Sequence, residues 1–203
     1  NCNPGKQVAD FGDGSKAMDI LKKNYGSDVA ACTAQISTPT KQISPNIVFT
    51  IATLECQSKI VNGEKTCNDP ANTPTPCQRG GYGISGISCD GVKTYCRTYN
   101  DPNCAGVSSM SPAALVEKIR STPALALCST AMSMNNSHKP GEDWADTAAR
   151  YNGAGGYEPS KDCRGYRIMQ CPIAEGDSDF PYCHITCAYH DKFTIVSEKA
   201  GGI

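Results

Sequence analysis

Glu55, in the segment IATLECQ, is the residue of this chain most suited by its position to proton-transfer chemistry. It lies seven residues after Val48, four after Ile51 and three after Ala52. In a helix its carboxyl therefore extends an apolar stripe instead of facing cleanly into solvent. Desolvation disfavours the charged form, and a pKa raised in this way suits a general acid working near neutral pH. The alternative is a glutamate at a helix rim that bends its carboxyl into water.

A second polar tip closes another apolar stripe, in WADTAARYNGAGGY at residues 144 to 157. Asp143 can cap this helix, Trp144, Ala148 and Tyr151 recur at i, i+4 and i+7, and Gly153, Gly155 and Gly156 mark its stop. Its last turn carries a tyrosine hydroxyl beside the Asn152 amide, where Leu or Ala would serve packing better. Read for packing alone, the pair is an amphipathic Tyr and a C-cap Asn. Asp90 is the best candidate for a second carboxylate, and it equally fits an Asp-Gly turn. YCHITCAYHD sets Cys183, His184, Cys187 and His190 at spacings that imitate a metal site, but among so many cysteines a structural role is expected and no metal is assigned. Neither Ser85 nor Ser88 stands in Gly-x-Ser-x-Gly, and phosphate-binding loops are missing from the sequence.

The elements that must position these groups follow from punctuation and periodicity. Residues 1 to 14 read as irregular, 15 to 26 as a short helix stopped by Gly26, and 37 to 43 as a polar linker. Ser44 and Pro45 open a wide apolar helix running to about Lys59. Residues 62 to 79 read as a loop tied by disulfide, and 80 to 91 as short strands and tight turns. Two further helices are expected at 111 to 122 and 123 to 134, and the tail after Cys163 gives mixed signals. The expected organisation is an N-terminal helix and linker at 1 to 43, a main domain at 44 to 160, and a Cys-rich extension packed on it at 161 to 203.

A chain of 203 residues is long enough for one sizeable core. Its 19 basic and 20 acidic residues nearly cancel, without a basic run, so neither nucleic acid nor an anionic membrane is an expected partner. No apolar run approaches a membrane span, and the start at Asn1 without a leader is as expected of a processed chain. Thirteen cysteines, from Cys2 to Cys187, imply an oxidising compartment and an exported protein, secreted, periplasmic or extracellular. At least ten are expected in disulfides, with Cys67 or Cys77 pinning the 62 to 79 loop. The odd count leaves a thiol free or paired, for instance with an assembly partner in an envelope or appendage. Asn135 opens an NNS sequon.

A helix ending in Glu, then a Gly-rich turn, then helices, then a helix ending in Tyr-Asn before glycines resembles the lytic transglycosylase and goose-type lysozyme superfamily. The resemblance covers about residues 44 to 157. In that family the catalytic Glu closes an apolar helix and is usually followed by Ser; here Glu55 is followed by Cys56. YGISGIS is similar to the family's Gly-Leu-Met-Gln segment, with Gly83, Ile84 and Ser85 in register and Gly86 in place of the Gln. ARYNGAGG matches the Ala-Tyr-Asn-x-Gly motif at Tyr151 and Asn152.

The resemblance implies an α+β, mainly α, lysozyme-like fold with a small β-like turn region, stapled by several disulfides. It implies Glu55 as the catalytic acid, Tyr151 as a group that orients it, and Gly83, Ile84, Ser85, Tyr151 and Asn152 as substrate-binding. The substrate would be peptidoglycan glycan strands and no cofactor would be needed. One Glu suffices for the lytic transglycosylase reaction at β-1,4 bonds, whereas a hydrolytic variant would enlist Asp90. The cysteine density and the replaced Gln also suit a catalytically inactive lysozyme-like structural or glycan-binding protein of a cell envelope or extracellular appendage.

Overall fold

Proline at the first helical position, preceded by a hydroxyl residue, opens three helices, at Pro45, Pro112 and Pro123. In this computed structural model, which describes residues 12–67, 75–78, 80–153 and 180–201, the order is α1 (Ser15–Ile36), α2 (Pro45–Val61), α3 (Cys89–Thr98), α4 (Pro112–Ser121), α5 (Pro123–Ser137), α6 (Trp144–Gly153) and α7 (Phe180–Lys199). Caps fix several starts. Ser88 Oγ accepts the Gly91 N–H at 3.1 Å, Ser111 Oγ the Ala114 N–H at 3.3 Å, and Asp143 Oδ1 the Ala145 N–H at 2.8 Å. Ser44 has the extended backbone of a cap, but its hydroxyl makes no capping bond.

The molecule is mainly helical. Among the described residues, β pairing is confined to isolated bridges, Thr38 with Lys41 and Tyr82 with Ile87. The short strands expected over 80 to 91 thus reduce to one bridge around a 3-10 turn, Gly83–Ser85, and the segment ends inside α3. Its glycines make the tight reversal. An added Cβ at Gly81 would collide with the Gly86 carbonyl oxygen, and Gly86 itself stands at φ 67°.

The helix expected to stop at Gly26 continues to Ile36. A mid-helix glycine costs about 1 kcal/mol. Burying Val29, Cys32 and Ile36 beyond it returns roughly 1.5–3 kcal/mol for each large apolar side chain, so packing overrides the local signal. The Cys32–Cys128 disulfide then ties α1 to α5.

α2 is the centre of the core. Seven successive residues, Ile47 to Thr53, are buried, the mark of a helix covered on all sides. α1, α5 and α7 pack on it, and α7 also lies along α6. The tail that gave mixed signals is therefore helical where described, with Tyr189, Phe193 and Val196 turned into the core.

Disulfides staple the periphery. Both ends of the 62 to 79 loop are pinned, Cys67 to Cys56 and Cys77 to Cys89, and Cys96–Cys104 closes the end of α3. All eight cysteines whose side chains are described are thus paired. Cys2, Cys163 and Cys171, with the side chains of Cys183 and Cys187, lie outside the described residues. Four such bonds are the usage of proteins that mature in an oxidising compartment. No helix among the described residues is long and apolar enough to cross a membrane. Asn135 is buried, its amide donating to the Ile36 carbonyl at 3.3 Å.

Two alanine substitutions separate turn geometry from helix propensity. Gly81→Ala forces a Cβ into backbone and is expected to lower stability by about 3 kcal/mol in urea unfolding. Gly26→Ala, half-buried in α1 with open space where a Cβ would stand, is expected to raise stability by about 0.5–1 kcal/mol. A neutral Gly81→Ala would show that the turn relaxes freely.

Candidate active site

The regular part of α2 ends at Glu55. Cys56 follows with φ −144° and ψ 15°, outside the helical region, so the hydrogen-bonded ladder breaks directly after the glutamate. That puts Glu55 at the negative pole of the preceding helix, where a carboxylate is disfavoured. Burial raises its pKa above the ordinary value, and a hydrogen bond from the Tyr189 hydroxyl to Oε1, at 2.8 Å, works in the opposite direction. Tyr189 remains a neutral donor, because burial and the neighbouring carboxyl push its own pKa far upward.

The facing wall is the 3-10 turn. A Cβ added at Gly86 would lie 3.6 Å from Glu55 Oε2, so the glycine brings backbone alongside the carboxyl. Tyr151, at the end of α6, donates its hydroxyl to the Ser85 carbonyl at 3.1 Å, with the Gly86 carbonyl at 3.5 Å. Ser85 is fully buried; its hydroxyl donates to the Ala126 carbonyl at 3.3 Å and accepts from Thr130 at 2.7 Å. These bonds lock the turn to α5 and α6. Tyr151 thereby positions the wall opposite Glu55, while a direct bond to Glu55 comes from Tyr189.

Between the walls opens a cavity of about 640 Å3, lined by Glu55, by Gly80, Gly81, Gly86, Ile87 and Ser88 from the turn, by Ser133 and Ser137 from α5, and by Arg150, Tyr151 and Asn152 from α6. The structure thus brings Glu55, Tyr151 and Asn152 to one cavity. Gly83, Ile84 and Ser85 are buried within the turn, behind Gly86. Asp90 is exposed in the first turn of α3, outside the described lining. Among the described lining residues Glu55 is the one carboxyl.

Behind Arg150 lies a second acid with the opposite treatment. Glu142 pairs with the Arg150 guanidinium and accepts from the Thr147 hydroxyl at 2.9 Å and the Lys139 N–H at 3.0 Å. Burial opposes its ionisation, but these donors outweigh it and hold the pKa at about 2. His138 meets Thr147 at 2.7 Å and stacks on Trp144 with centroids 3.8 Å apart, which braces the start of α6. Where α6 meets α7, His190 sits 3.3 Å from Asp146 and 3.0 Å from Asp191. The side chains of Cys183, His184 and Cys187 lie outside the described residues, and no group of three metal-ligating side chains occurs among the described ones.

Tyr189 is the site residue that sequence reasoning missed. Its signal was the 189, 193, 196 spacing of Tyr, Phe and Val, hidden inside a segment dominated by cysteine and histidine.

The two glutamates predict opposite pH behaviour. Glu55 has a folded pKa above its unfolded value of 4.5, so its neutral form favours folding and its stability contribution falls as pH rises past 4.5. Glu55→Gln is therefore expected to match wild type at pH 3 and to be the more stable of the two at pH 7. For Glu142 the folded value is depressed, so its contribution is present above 4.5 and lost toward about 2. Glu142→Gln is expected to be roughly 2 kcal/mol less stable at pH 7, with the deficit shrinking toward pH 2. Urea unfolding at several pH values checks both, and parallel profiles for the two variants would contradict the assignment.

Comparison with family models, curated proteins and solved structures finds no match to the chain.

Proposed function

We propose that this protein is an exported glycosidase of lysozyme-like fold that cleaves β-1,4 bonds in peptidoglycan by the lytic transglycosylase reaction. The observation that carries the reading is Glu55, a carboxyl kept toward its protonated form by burial, oriented by Tyr189, and set on the wall of a cavity of about 640 Å3. A cleft of that volume accommodates sugar rings. Asn152, Ser88, Ser133 and Ser137 offer hydrogen-bonding groups for hydroxyls and amides along it.

The chemistry uses one carboxyl twice. Protonated Glu55 gives its proton to the glycosidic oxygen as the bond from that oxygen to the anomeric carbon breaks. The resulting carboxylate takes the proton of the muramoyl 6-hydroxyl, whose oxygen closes on the same carbon to form a 1,6-anhydro ring. Glu55 ends protonated again and no water is consumed. General acid and base assistance of this kind is worth about 10²–10⁴-fold in rate. Inverting hydrolysis would need a second carboxyl across a water-sized gap, and Asp90 lies outside the described lining of the cavity. Tyr189 serves by holding Oε1, so that the proton sits toward the substrate side of the carboxyl.

Digestion of purified peptidoglycan with mass-spectrometric analysis of the products tests the proposal. Wild type is expected to release anhydro-muramoyl ends. Glu55→Gln is expected to lose cleavage at least a hundredfold while staying folded, and Asp90→Asn to remain near wild type. Reducing ends, together with a hundredfold loss in Asp90→Asn, would establish a hydrolase instead. Binding to glycan strands without cleavage would leave the inactive glycan-binding reading.

A further inference from the structure

We propose that the Cys56–Cys67 disulfide is a positioning device for the acid, holding the break in α2 that aims the Glu55 carboxyl into the cavity. The activity arm of this inference rests on the reading of Glu55 as the acid; its geometric arm does not.

Helices break at proline, at glycine, or where something outside the helix forces the ladder open. The residues around the break, Leu54, Glu55, Cys56, Gln57 and Ser58, include neither proline nor glycine. Local sequence thus offers neither proline nor glycine to break the helix, and the bridge at Cys56 supplies a tertiary cause. Cys56, the residue that leaves helical dihedrals, is itself the bridged one.

The partner is placed to matter. Both cysteines are 4% exposed, so the bond is part of the core and not a surface clasp. Cys67 Sγ lies 3.8 Å from the Ile84 carbonyl oxygen, in the 3-10 turn that faces Glu55. The bond thus links the residue after the carboxyl to a cysteine that lies against the turn leading into Gly86. Cys96–Cys104 closes a loop of similar length, 8 residues apart against 11, at the end of α3 and away from the described lining. It supplies an internal control.

The test compares full-length Cys56→Ala/Cys67→Ala with Cys96→Ala/Cys104→Ala. The first readout is the Glu55 carboxyl titration by carbon-13 NMR, which needs no substrate. The second is kcat and KM on soluble glycan strands. Removing the first bond is expected to move the Glu55 pKa down toward its ordinary value of 4.5, and to lower kcat at least tenfold with KM changed less than threefold. Removing the second is expected to reduce thermal stability and leave both readouts unchanged. An unshifted Glu55 titration in Cys56→Ala/Cys67→Ala would overturn the proposal, and so would equal effects in the two variants. Cys56→Val/Cys67→Ala fills the vacated volume if the first variant does not fold. Failure of both replacements beside a folded control would make the bond a global staple and also overturn it. A wild type that cleaves no glycan would sink the proposed function, while the titration would still decide the positioning.

Discussion

The hydrogen bond from Tyr189 to Glu55 joins residues 134 apart in sequence, and it persists only while α7 stays docked on α2 and α6. That requirement orders much of the molecule. α2 must be covered on every side to desolvate the carboxyl at its end, so α1 and α5 close the faces that α7 does not. α6 must hold α7 in register, which the His190 contact to Asp146 and the packing of Ala145, Ala148 and Ala149 accomplish. A chain that placed Glu55 in water would lack the burial that raises its pKa.

Glu55 in the cavity and Glu142 behind its wall show how a protein separates two identical side chains. Glu55 meets burial, a helix pole of the wrong sign and the neutral Tyr189 hydroxyl; Glu142 meets burial together with a guanidinium, a hydroxyl and an N–H. Desolvation wins in the first case and loses in the second. The charged guanidinium beside Glu142 tips the balance, since a hydrogen bond to an ionised group is worth about 1.5–3 kcal/mol. Arg150 at the cavity wall is thereby engaged by Glu142, and the glutamate opposite is the carboxyl that burial holds toward its protonated form.

Helix starts were legible because proline, serine and aspartate act within one turn: Pro45, Pro112 and Asp143 each stand where the pattern placed them. The position of Glu55 at the end of an apolar stripe was legible for the same reason. What failed were inferences that depend on distant partners. Gly26 did not stop α1, because apolar residues further along found a core to enter. The glycines over 80 to 91 signalled a reversal correctly, but the segment forms a 3-10 turn and enters α3 at Cys89, which leaves a single bridge in place of strands. Tyr189 was invisible as a site residue, since nothing local distinguishes a tyrosine that packs from one that reaches a carboxyl across the fold. Ser85 looked like cleft lining and is instead a buried hinge pin between the turn and α5, a role set by Thr130 and Ala126 rather than by its own neighbours.

Asn135 is an amide that the folded protein needs for itself: it faces the last carbonyl of α1 from inside α5. Oligosaccharyl transfer acts on extended chain, so in a secretory pathway that performs it the sugar and the α1–α5 contact compete for the same nitrogen. A chain modified there would carry a bulky hydrophilic group at the seam that Cys32 and Cys128 must approach to pair. Yield in such a host would therefore be decided by kinetics, by whether these two helices dock before the transferase arrives. A bacterial periplasm lacking that enzyme imposes no such race.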